Sequence, residues 1–507
     1  MAACVFAAMP VSASAAAPPA PTGAGSIESA LKSVSLGELE TFYRARKYQP
    51  LWMRGNAPSP AASRLVEIIR GAEIDGLANA RQIASRLEDV LDDASQGKRL
   101  GVAERALSQA WVDYVTALRR PAAGMTYGDT LLSRSAPSVF GILSDAATAP
   151  SLERHIAEVS ALNPVYARLR AGLGAWRERW GSLPRLQLSP GLPLRQGSRD
   201  PEVAALRARL GIASEGGFDA EAATAVRAFQ AAHGLPSTGS VDRETLRRLN
   251  EDPEAIEQRL LANLDRARFL PANERRFILV DAASQRLWLY EDGEIRDTMK
   301  VIVGKPTEPT PMVASVIRFA VANPYWHVPP DLVRTRVAEN VLKEGLGFLK
   351  TKKYEIVSDW SDDAQVIDPA TVDWKAVASG EQELAVRQLP GPTNAMGTIK
   401  FMFANQFGVY LHDTPDKALF QEQRRTLSSG CVRLEDAARL ATSLFGSDPR
   451  PSSGGPEQIL PLPQPVPVYI TYFTVDSDGE RLAFRDDFYG RDPRPGGVFA
   501  ADISSAR

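Results

Sequence analysis

Apolar spacing changes near residue 275. Before it, apolar residues recur every three or four positions, as in Leu107, Trp111, Tyr114, Val115 and Leu118, or Ile256, Leu260, Leu261 and Leu264. That is the stripe of a helix buried on one side. After it come the short runs Arg276 to Val280, Arg286 to Tyr290 and Ile295 to Val303, rich in aliphatic and aromatic residues and punctuated by Asp292-Gly293. They predict a β-meander with a hairpin turn. Helices first and strands afterwards give an α+β chain, and 507 residues exceed what one core organises, so about three domains are expected.

Residues 26 to 182 read as one helical domain. Ser35 and Glu38 have capping-box spacing before Leu39, Phe42 and Tyr43, and Asn163-Pro164 opens a helix running to Trp180. Its histidine, His155, and its aromatic stripes are core or surface features with no chemistry attached. A Pro/Gly/Leu-rich linker over 183–196 leads into a small helical module over 191–250. Within the module Gly217-Phe218-Asp219 and Gly239-Ser240-Val241-Asp242 each precede a helix. A connecting helix over 251–274 follows Asp252-Pro253.

The strand pattern that starts at 275 breaks between Pro324 and Pro390, a segment holding Trp326, Trp360, Trp374 and a helix from Asp331 to about Lys343. An insertion of that length carries structure of its own. Strands resume at Thr398 to Phe403 and Phe407 to His412 and end with Val466 to Val475 and Arg481 to Phe484. The tail over 486–507 has few core residues and is expected to lie extended. Gly304-Lys305 lacks the spacing of a phosphate loop.

The chemistry concentrates late in the chain. Tyr410 and His412 are two apart on a strand and so share a face. Cys431 comes nineteen positions after His412, within Ser428-Ser429-Gly430-Cys431-Val432-Arg433, with helical spacing from Leu434 to Phe445. Cys431 is therefore expected just ahead of a helix N-terminus, where the field favours a thiolate, with amides at Gly430 and Cys431 available to an oxyanion. A lone cysteine is commonly a small buried hydrophobe and a lone histidine a packed or solvated one. The pair together with the Ser-Ser-Gly turn points to acyl transfer through a thioester.

At these residues the chain resembles the L,D-transpeptidase family, whose signature is a histidine, a gap of this order, then Ser-(His or Ser)-Gly-Cys-x-Arg. Ser429 stands where many smaller relatives carry histidine, which leaves His412 as the base. The resemblance extends to a scaffold domain through Phe42-Tyr43 and Pro50-Leu51-Trp52. It takes in a peptidoglycan-binding module through Ala228-Phe229-Gln230 and Gly234-Leu235, and a capping subdomain over 324–390 within a mainly β catalytic domain over 275–485. It implies a multi-domain α+β enzyme in which Cys431 is the nucleophile and His412 the general base and acid. Gly430 and Tyr410 supply oxyanion donors, and Arg433, Ser428, Ser429 and Trp326 contact substrate. The implied substrates are peptidoglycan stem peptides, with D-alanine released and a diaminopimelate amine as acceptor, no cofactor or metal, and carbapenems as acylating analogues.

An L,D-carboxypeptidase or endopeptidase using the same site, or a non-catalytic wall-binding scaffold, are the competing readings. A papain-like protease is disfavoured because there the cysteine precedes the histidine. The net charge of −2 and the lack of a basic patch argue against nucleic acid. Residues 1–15 end in Ala13-Ser14-Ala15 like the last part of a signal peptide, so a periplasmic location is expected, with other cell-wall enzymes as candidate partners. No later apolar run is long enough for a membrane span.

Overall fold

The computed structural model describes residues 24–493 apart from 56, 133–136, 273, 362 and 451–454. The expected leader over 1–15 and the tail from 494 lie outside the described residues. The chain divides into two compact units, one of residues 1–119 and 136–160, the other of residues 120–135 and 161–507.

The first unit is helical and packs around Leu100–Leu118, whose Leu107, Trp111, Tyr114 and Leu118 are fully buried. Ser35 and Glu38 form no capping box. The chain there enters a short 3₁₀ turn at Gly37–Leu39 with no side-chain cap. Order comes instead from a buried carboxylate: Glu104 accepts from the Tyr43 hydroxyl (2.8 Å) and from the backbone N–H groups of Leu51 (2.5 Å), Trp52 (3.1 Å) and Met53 (3.0 Å). Burial pushes its carboxyl up and these donors pull it back. A charge can be buried at this cost because every lone pair is used.

The region expected as a domain over 26–182 contributes residues to both compact units. Thr126–Tyr127 pairs in parallel with Val313 and Ala314, and the helix Pro164–Trp176 belongs to the second unit. Asn163 caps that helix by accepting from Tyr166 N–H (2.9 Å), while its amide donates to the Ala267 carbonyl (2.8 Å). In the small module Asp219 and Asp242 each accept from a backbone N–H three residues on, capping the helices Ala220–Ala232 and Arg243–Leu249. This is the physical content of the half-repeat.

The expected meander is part of a ten-stranded sheet. Its order runs Ile399–Phe403, Leu411–His412, Val432–Leu434, Glu294–Gly304, Arg286–Glu291, Arg276–Asp281, Gln458–Thr471, Val313–Ala322 and Thr126–Tyr127, with Thr426–Ser428 pairing to Glu294–Gly304 off this path. Val313–Ala322 pairs back onto Ile399–Phe403, so the sheet closes on itself around a core that includes Ile278, Val301, Ile317, Phe401, Leu411 and Val432. The insertion folds separately, as an antiparallel sheet of Val366–Ile367, Tyr354–Val357, Ala385–Gln388 and Trp326–Val328. Helical turns from Pro330 to Glu344 cover it, with a π-helical stretch at Val333–Ala338.

The tail is not loose over its described part. Phe488 and Tyr489 pack on the barrel core, and Asp492 pairs with Arg259 (2.9 Å) and Arg266 (2.8 Å). Aromatic rings and a buried charge pair hold a segment whose sequence lacks aliphatic periodicity. Among the described residues no helix is long and apolar enough to cross a membrane.

Replacing Glu104 with Ala leaves four donors without their acceptor, and should lower the stability of the first unit by about 3 kcal/mol. Urea unfolding of the protein followed by tryptophan fluorescence checks this, and a loss below about 1 kcal/mol would remove Glu104 as the organising group.

Candidate active site

The register of two short strands builds the site. Leu411–His412 lies parallel to Val432–Leu434, pairing Leu411 with Val432 and His412 with Arg433. On its other side Lys400 faces His412 and Phe401 faces Leu411, while Ile302 faces Arg433. Strand alternation then sorts the side chains. Leu411, Val432, Leu434 and Phe401 enter the barrel core, and Tyr410, His412, Cys431, Arg433 and Lys400 fall on the opposite face.

The expected strand from Phe407 is shorter, only Leu411–His412, yet the rings of Tyr410 and His412 still meet edge to face at 5.8 Å. Cys431 is not at a helix N-terminus. Val432–Leu434 is a strand, and the helix begins at Ala437 with Asp436 as its cap. The apolar residues that suggested helix from Leu434 onward belong first to the barrel ladder, so the helix field does not serve the thiol.

The turn before Cys431 is held from below. Gly430 sits at φ +109°, a conformation that favours glycine. Its carbonyl accepts from Thr310 Oγ1 (2.8 Å), which in turn accepts from Gly304 N–H (2.8 Å). A side chain at Gly304 would strike the Glu308 carbonyl, which explains that glycine without any phosphate. Ser428 is buried, accepts from Gly430 N–H (3.2 Å) and donates to the Cys431 carbonyl (2.5 Å). Gly430 N–H, expected to meet an oxyanion, is thus engaged by Ser428. Ser429 is exposed at the tip of the turn.

Electrostatics at the site oppose a resting ion pair. Burial pushes the Cys431 thiol up to about 11, although hydrogen bonds from Tyr410 and the Arg433 charge pull it down. Its Sγ–H points to the Gly408 carbonyl at 3.9 Å. Burial, with Arg433 adding to it, pushes His412 down to about 3. The His412 Nδ1 lies 2.6 Å from the Asp413 carbonyl, which only accepts, so the proton sits on Nδ1 and Nε2 is the free base. Asp413 therefore orients His412 through its backbone. Its side chain turns away to Lys417 (2.8 Å) and Thr398 N–H (2.9 Å).

Arg433 is half-buried, and its Nε finds no hydrogen-bond partner among the described residues. Trp326, expected to touch substrate, is instead 8% exposed and packs in the core of the insertion beside Tyr354. The strand Trp326–Val328 turns Trp326 and Val328 inward and leaves His327 exposed, with Trp360 4.7 Å from its ring. The same core packs against Tyr410, which couples the insertion to the catalytic face. Lys400 was legible as the polar position between Ile399 and Phe401. Its partner Glu457, in an irregular segment, carried no signal.

Residues 275–446 match the "L,D-transpeptidase catalytic domain", residues 37–173 the "Scaffold domain" and residues 199–249 the "Putative peptidoglycan binding domain". A "Putative L,D-transpeptidase" of Haemophilus influenzae is 30% identical over 244 residues, 47% of this chain and 48% of that protein. The chain thus spans about half the length of this curated relative. A solved L,D-transpeptidase from Mycobacterium smegmatis is 13% identical, covering 40% of this chain and 60% of that one at a TM-score of 0.20. One from Xylanimonas cellulosilytica is 17% identical, covering 56% and 100% at 0.17. Superpositions at these scores add nothing to the match in sequence.

With the thiol at about 11 and the imidazole at about 3, the resting pair is neutral at pH 7. Alkylation of Cys431 by iodoacetamide should accelerate steadily between pH 7 and pH 10, about tenfold per unit, as the thiolate fraction grows. A rate already flat below pH 7 would mean a preformed thiolate–imidazolium pair.

Proposed function

Proceeding from an L,D-transpeptidase catalytic domain at residues 275–446, we propose that this chain cross-links peptidoglycan stems by cysteine acyl transfer. The observation that carries the reading is the register that sets Cys431, Tyr410, His412 and Arg433 on one face of the barrel. Cys431 attacks the diaminopimelate carbonyl of a tetrapeptide stem as its proton passes to His412 Nε2. The tetrahedral intermediate collapses with cleavage of the amide, and the same proton leaves with D-alanine. A diaminopimelate amine of a neighbouring stem then attacks the thioester, loses its proton to His412, and the thiol is restored.

A neutral resting pair suits this cycle, because the thiol ionises only when a carbonyl is in place to receive it. The Tyr410 hydroxyl on the sulfur, together with the Cys431 N–H, serves the oxyanion in place of the occupied Gly430 amide. Arg433, whose Nε has no acceptor among the described residues, takes a substrate carboxylate. The match at 199–249 supports attachment to the wall. We therefore place the protein's work outside the cytoplasm, in the periplasm.

Intact-mass spectrometry after incubation with a carbapenem should give a single adduct that is absent from Cys431→Ala. Absence of an adduct and of D-alanine release from tetrapeptide, on folded protein, would overturn the reading. Cross-linked product separates transpeptidation from hydrolysis in the same samples. Tyr410→Phe should lower turnover on the order of 100-fold with the melting temperature unchanged, as loss of one oxyanion donor does.

A further inference from the structure

A second pair of charges stands on the catalytic face. Lys400 lies opposite His412 in the ladder, on the flank away from Arg433. Its Nζ donates to both oxygens of Glu457 (3.1 and 3.3 Å), and Glu457 Oε1 also accepts from Tyr325 N–H (2.6 Å). The backbone of Glu457 is pinned in the left-handed region at φ +53°, with its N–H on the Asn323 carbonyl (3.0 Å). The two partners are unequally placed: the Lys400 side chain is 10% exposed and that of Glu457 33%. The cation is sunk and holds the anion by two hydrogen bonds, and the anion is the more exposed of the two.

That carboxylate belongs to the site. Glu457 is among the charges that raise Tyr410, alongside Cys431, and it also acts on His327 at the edge of the insertion. Across the rung of the sheet the order is Arg433, His412, Lys400 with Glu457. A carbonyl seated above His412 therefore has on one flank a guanidinium whose Nε is unpaired among the described residues and, on the other, the Lys400–Glu457 pair, whose carboxylate is the more exposed partner.

We propose that Glu457 determines donor specificity by binding the charged side-chain ammonium of the diamino acid at the third position of the donor stem, with Lys400 and Tyr325 N–H positioning it. This rests on the transpeptidase reading above. The donor's side-chain amine does not react and stays protonated, so a carboxylate stabilises it as it is. The acceptor's amine must lose its proton to attack, and a carboxylate beside it would favour the wrong form. The carboxylate end of the donor then lies toward Arg433.

The test compares D-alanine release from a tetrapeptide stem with a free side-chain amine and from one whose third residue lacks that amine. The protein as it stands should prefer the first by at least about tenfold in kcat/KM, and Glu457→Gln should erase the preference by losing rate chiefly on the first. Acylation of Cys431 by a carbapenem without a basic side chain should fall far less in Glu457→Gln than D-alanine release from the first stem does. Should that variant melt early, the neutral pair Lys400→Met with Glu457→Gln replaces it and should show the same loss of preference. Equal rates on both stems, or a preference that survives in the variants, overturns the assignment to Glu457. Failure of the unaltered protein with both stems and with the carbapenem overturns the transpeptidase reading instead.

Discussion

Two rungs of parallel pairing, Leu411 with Val432 and His412 with Arg433, decide what the rest of the molecule has to support. A slip of one residue would send the imidazole or the thiol into the barrel core and an aliphatic side chain to the surface. Only two pairs of residues make this contact, too few to hold a register unaided. The neighbours Ile399–Phe403 and Glu294–Gly304 clamp it from either side, and the barrel's closure leaves neither strand at a free edge. The apolar set Phe401, Leu411, Val432 and Leu434 is the price of slippage.

Burial does the opposite of what the sequence suggested for the nucleophile. A helix N-terminus would have lowered the thiol, whereas the strand environment raises it and neutralises His412. The site stores little charge at rest. Its polarity is in fixed groups: the Asp413 carbonyl on Nδ1, the Tyr410 hydroxyl at the sulfur and the Arg433 guanidinium. Such groups are already in place and need no rearrangement to meet a charge that develops beside them.

What the sequence made legible follows the same physics. Periodicity identified the meander, the inserted subdomain and the shared face of Tyr410 and His412, because each is a local pattern with a strong apolar contrast. It misread Leu434 as helix, since an apolar residue beside Ala437 and Ala438 satisfies either period until the ladder to Glu294–Gly304 claims it. The expected contact role of Trp326 rests on the resemblance of the insertion to a capping subdomain, and the burial of Trp326 depends on a partner strand whose Gln388 lies 62 residues further on. The Lys400 and Glu457 pair joins positions separated by most of the catalytic signature, and no local pattern announces it. Nor does any local pattern announce the bond from Asn163 to the Ala267 carbonyl, which ties the start of the helix Pro164–Trp176 to the end of Pro253–Ala267.

Tyr489 donates to the Gly304 carbonyl (2.6 Å), and Gly304 and Thr310 carry the turn that presents Cys431. The nucleophile's seat therefore waits on a residue 58 positions nearer the C-terminus than the nucleophile itself. During synthesis and any passage through a translocation channel, the thiol emerges before the brace that shapes its turn. A protein truncated before Tyr489 would keep every signature residue while lacking the brace on the turn that presents Cys431.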